Sequence, residues 1–81
     1  MKLGEYIESV LNDKKINMTV AAQKAGIATS TLSRLKAGSS ELTPSLAAKL
    51  SVVGFDCERM FEINAQENIE KTKQIIEAVN S

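Results

Sequence analysis

Histidine and tryptophan are absent from the chain, and cysteine and proline occur once each. Without histidine it lacks the side chain most often used for proton transfer near neutral pH. Cys57 has no base partner close in sequence, and no metal-ligand spacing occurs. Catalysis, a metal site and a cofactor are therefore not expected. A lone cysteine excludes an internal disulfide, so a reducing cytoplasm is the expected setting. One proline and four glycines leave little room for strand turns, and three aromatic residues cannot build an aromatic core. The core must be aliphatic and the fold all-α. No signal peptide is evident, and no apolar run is long enough for a membrane span. Eighty-one residues make one small domain, whose core is marginal without help from a partner subunit.

Net charge is zero, which at first sight argues against a polyanionic partner. Its distribution answers that objection. Residues 14–49 carry Lys14, Lys15, Lys24, Arg34, Lys36 and Lys49 against Glu41 alone, a local excess of +5. Residues 50–81 carry three cations against six acids, and the first thirteen residues hold the remaining −2. A basic middle and an acidic tail suit two different partners.

The chain divides into five helical stretches. Leu3, Tyr6, Ile7, Val10 and Leu11 recur at i, i+3, i+4, i+7 and i+8, an amphipathic helix that ends near Asp13-Lys14-Lys15. Ile16 reads as a buried link, and Asn17 as the N-cap of the next helix. Thr43-Pro44 is a helix start, cap followed by proline at the first helical position. That helix runs to about Val53, burying Leu46, Ala47, Leu50 and Val53, with Gly54 as its stop. Ser39, Ser40 and Leu42 read as a loop. Asp56 caps the last helix, which nothing interrupts from Cys57 to Val79, although a break near Asn64 is compatible with the polar residues there. Met60, Phe61 and Ile63 are expected to close the core.

The organising stretch is residues 18–37. Ala21, Ala22 and Ala25 give the second helix a face almost without bulk, which another helix can approach closely. Gly26 stands where the chain must bend sharply, followed by Ile27 as a plug. The third helix, residues 28–37, turns Leu32 and Leu35 inward. Its outer face carries Ser30, Ser33, Arg34 and Ala37, flanked by Thr29 and Thr31, and no acid occurs between Gly26 and Ser40. Solvated helix faces usually carry Glu, Lys and Gln. Short hydroxyls with one arginine instead suit close approach to a polyanion, and an α-helix fits the DNA major groove. The candidate DNA contacts are Asn17, Thr29, Ser30, Thr31, Ser33, Arg34, Lys36 and Ser39, with Arg34 reading bases and Lys36 holding phosphate. The alternatives are a cap-only role for Asn17, a merely solvated loop at Ser39, and a merely solvated Ser/Thr face.

Beyond Ala65 the apolar positions narrow to Ile69, Thr72, Ile76 and Val79, flanked by Ile75, with Glu62, Glu67, Glu70 and Glu77 on the acidic side. A 3-4-3 spacing suits helix–helix association. This stripe is expected to pair with a second copy, the alternatives being a toxin partner or a fold-back on its own domain. Residues 1–66 are then a helix-turn-helix domain and residues 67–81 a dimerisation or docking extension.

From Leu3 to about Gln66 the chain resembles the HigA-type antitoxins of the lambda-repressor-like (XRE) helix-turn-helix family. The matching stretches are Leu3-Gly4-Glu5-Tyr6-Ile7, Ala25-Gly26-Ile27, Thr31-Leu32-Ser33-Arg34-Leu35, Leu42-Thr43-Pro44-Ser45-Leu46-Ala47 and Lys49-Leu50. Met18 stands where many relatives carry glutamine, and Ala28 where a Ser/Thr cap is usual. The resemblance implies a five-helix dimer that represses its own operon and neutralises a RelE-like ribonuclease toxin. A free-standing phage-type or XRE-type repressor, and a protein-interaction module that never touches DNA, are the other readings the residues allow.

Overall fold

The computed structural model describes residues 1–80 as five helices with no strand among them. They are α1 (Leu3–Lys14), α2 (Met18–Ala25), α3 (Thr29–Ala37), α4 (Pro44–Ser51) and α5 (Cys57–Asn80). The all-α fold expected from composition is the observed one.

Local chemistry sets most boundaries. Asn17 Oδ1 accepts from the Val20 N–H at 2.8 Å, and Thr43 Oγ1 from the Leu46 N–H at 3.2 Å. Asp56 Oδ1 accepts from the Arg59 N–H at 3.2 Å. Gly26 closes α2 at φ 72° and Gly38 closes α3 at φ 82°, left-handed positions that a residue without Cβ takes freely. α1 closes the same way on Lys15, a non-glycine at φ 57°. Each cap satisfies a helix-end group that would otherwise lack a partner. Thr43→Ala should therefore cost about 1 kcal/mol, lowering the thermal midpoint by roughly 4–8 °C, while Thr43→Ser should stay close to the parent. Thermal unfolding by circular dichroism checks both.

The core is aliphatic. Ile7, Leu32, Leu35, Leu50 and Met60 are its largest fully buried side chains. Leu3, Ile7 and Leu11 supply α1's inner face, and Ala21, Ala22 and Ala25 that of α2. Tyr6, Val10, Ile16, Ile27 and Val53 are only partly buried around it. Two core residues carried no sequence signal as such. Leu42 is buried although it lies between helices, and Phe55 is buried against Tyr6, with ring centroids 6.2 Å apart in an edge-to-face arrangement. The Tyr6 hydroxyl accepts from the Asp56 N–H at 3.0 Å and ties the α4–α5 connection back to α1.

Two expectations need correction, and one contact of α5 joins them. Phe61 does not close the core: it is 38% exposed, while Met60 and Ile63 on the neighbouring face are buried. The helix starting at Pro44 stops at Ser51 rather than Val53, and residues 52–54 form turns. The acidic side of α5 is not wholly free, because the Glu67 carboxylate accepts from the Leu3 N–H at the start of α1. Glu5 accepts from the Lys2 N–H at 3.3 Å beside it. Two carboxylates thus meet the positive end of the α1 dipole.

α5 has no break at Asn64. Its first ten residues pack on the body, and every described residue beyond Glu67 is exposed. The molecule is accordingly elongated, 46 × 21 × 19 Å. The stripe of Ile69, Thr72, Ile76 and Val79 does not fold back on its own domain.

Candidate nucleic-acid interface

α3 is held by Leu32 and Leu35, 0% and 1% exposed, against α1 and α2. This anchoring leaves its opposite face uncovered, because neighbouring helical positions differ by about 100°. Thr29, Ser30, Ser33, Arg34 and Ala37 are all exposed, whereas Thr31 is half-buried. Thr31 borders a shallow cleft shared with Ile27, Ser40, Glu41, Thr43, Ser45 and Lys49. Lys49 and Ser45 were not among the sequence candidates. Their positions beside Thr31 depend on how α4 packs on α2 and α5, which a local pattern does not encode.

The start of α3 differs from those of α2 and α4. Ala28 occupies the N-cap and makes no side-chain cap hydrogen bond. The Thr31 N–H bonds the Ala28 carbonyl at 3.0 Å, and the Thr29 and Ser30 N–H groups have no partner among the described residues. An uncapped helix start with flanking hydroxyls presents donors and a positive dipole end to an anion, with Glu41 and Lys49 as the charges lining the cleft beside Thr31.

Arg34 is exposed on the outer face, and its guanidinium has no ion pair among the described residues. Its carbonyl accepts from both the Ser39 N–H at 3.0 Å and the Ser39 hydroxyl at 3.3 Å. Ser39 is therefore first a helix-end partner, with its oxygen lone pairs still exposed. Asn17 likewise uses Oδ1 for capping, while its amide donors stay in solvent and reach no group on α3.

Lys36 stands apart from the other candidates. It lies on the side of α3 that faces α1, half-buried, with Nζ 3.4 Å from Glu8 Oε2. A free phosphate-holding Lys36 is thus not what the chain presents; an exposed pair of this kind is weak and must open before the amine meets another anion. Arg34 and the short hydroxyls come together as one face, Thr31 sits at its edge, and Lys36 and Ser39 lie toward α1 and the end of α3. Ile69, Thr72, Ile76 and Val79 form a separate surface on the projecting part of α5.

No group of three or more metal-binding side chains occurs among the described residues, and none of their helices is long and apolar enough to cross a membrane. Comparison of the chain with family models, curated proteins and solved structures returns no match to any of them.

Proposed function

We propose that this chain is a sequence-specific DNA-binding repressor that lays α3 in the major groove and acts as a dimer. The supporting observation is the outer face of α3: exposed hydroxyls and one unpaired arginine, without an acid, on a helix pinned from behind by two buried leucines. A helix of 9 residues is long enough to cross the groove. Arg34 reads guanine, the Ser and Thr side chains contact phosphate, water or a thymine methyl, and the uncapped start of α3 meets the backbone. Neither this face nor the rest of the chain supports an enzymatic reading, and the site uses neither a metal nor a cofactor.

The finer reading is an antitoxin of the HigA type, acting in the cytoplasm, which represses its own operon and binds a RelE-like ribonuclease toxin. It rests on the sequence resemblance and on the net charge of −3 over residues 50–81, which suits a basic partner.

Selection of duplexes from a random pool by the full chain is the test. The expected product is a palindrome whose half-site centres lie about 34–36 Å apart, one helical turn. A single undivided site would sink the dimeric reading, and the absence of enrichment would sink DNA recognition.

A further inference from the structure

The exposed apolar stripe of α5 starts earlier than Ile69. At about 100° per residue, Phe61, Ala65, Ile69, Thr72, Ile76 and Val79 share one face, turned away from Met60 and Ile63. Phe61 is 38% exposed and Val79 78%. The stripe is about 27 Å long, so about a third of it overlies the globular body and the rest the projecting end. An occupant touching only the projecting end would leave Phe61 in water.

The charges beside the stripe say which occupant fits. Arg59, Glu62, Lys73 and Glu77 lie along one flank, within about 60° of one another around the helix. Arg59 Nη1 and Glu62 Oε2 are 3.5 Å apart, while Lys73 and Glu77 have no ion pair among the described residues. Along the chain the signs run plus, minus, plus, minus. A second copy running the opposite way presents them reversed. Centred near residue 68, it sets its Glu77 beside Arg59 and its Lys73 beside Glu62, so each end of the seam carries four alternating charges. The same register brings Phe61 to the second copy's Ile75 and Ile76. A parallel copy would set this flank against the opposite one, where Asn64, Asn68 and Lys71 offer no comparable match.

We infer that two copies associate antiparallel along α5, from Phe61 to Val79, with Phe61 as an anchor and the Arg59–Glu62 pair joined to Lys73 and Glu77 of the second copy. This rests on the dimer proposed above and specifies its seam and direction. It makes residues 57–67 part of the interface and sets the two bodies about 21 Å apart along the helix axis.

The test is the mass of the full chain in solution over a concentration series, without DNA, for the parent, Glu62→Lys, Lys73→Glu, the double variant and Phe61→Glu. These side chains are exposed or at the core's edge, and circular dichroism confirms that each variant folds. Within one chain Glu62 and Lys73 lie about 16 Å apart, too far for a direct pair. Rescue by the double variant therefore reports an intermolecular contact. The expected result is a dimeric parent, each single charge reversal weakening association about tenfold, the double variant within about threefold of the parent, and a monomeric Phe61→Glu. A dimeric parent without rescue overturns the antiparallel register but leaves a dimer standing. A monomeric parent overturns both.

Discussion

Gly4→Val should lower stability by on the order of 3 kcal/mol, about three times the cost of losing the Thr43 cap. Gly4 lies in the first turn of α1, where helix propensity alone argues for a larger residue by up to about 1 kcal/mol. Packing argues the other way. A Cβ at Gly4 would overlap the carbonyl oxygen of Lys36 and lie 3.3 Å from its carbonyl carbon. These are backbone atoms at the end of α3, which cannot swing aside as a side chain can. Overpacking of this kind costs about 1–3 kcal/mol, and a β-branched residue adds a small helix penalty. The clash wins. Gly4→Ala should also be net destabilising, by less, because it has the same overlap with a smaller branch. Urea unfolding checks both, and an alanine variant more stable than the parent would show that α1 and α3 separate without cost. The displacement would also move the end of α3, so operator affinity should fall beyond what the unfolded fraction explains.

Arg34→Ala is expected to weaken binding to the selected operator by about 1–3 kcal/mol, roughly 5- to 150-fold, and to relax one base position in each half-site. The face offers no other side chain able to make a bidentate contact with guanine. Because Arg34 is exposed and unpaired among the described residues, its removal should leave the thermal midpoint almost unchanged. Ser30→Ala, Ser33→Ala and Thr29→Ala should each cost less. An equal loss on all sequences would make Arg34 a phosphate contact. Lys36→Ala, by contrast, removes a group already facing Glu8 and should have a small effect.

What the sequence reveals is governed by distance along the chain. The caps at Asn17, Thr43 and Asp56, the left-handed glycines at 26 and 38, and the inward leucines of α3 depend on neighbours within a turn or two. Such features read directly from residue type and spacing. Phe61 does not, because its place depends on which side of α5 meets the body. That side is set by Met60, Ile63 and the Glu67 bond to Leu3, a contact across sixty-four positions. Lys36 is a similar case: its charge suggests phosphate, but Glu8 on α1 is its neighbour. Phe55 carries no periodic signal because it lies in a connection, yet the ring of Tyr6 makes it core. The outer face of α3 is legible for the opposite reason. Once Leu32 and Leu35 point inward, helix geometry fixes what points out.

The central claim, that α3 reads DNA sequence, is tested most directly by the ratio of affinities for the selected duplex and a scrambled duplex of equal length at near-physiological salt. The expected ratio is about 10³ or more, with both affinities falling as salt rises. Equal binding to the two duplexes, or no binding to either, would contradict it.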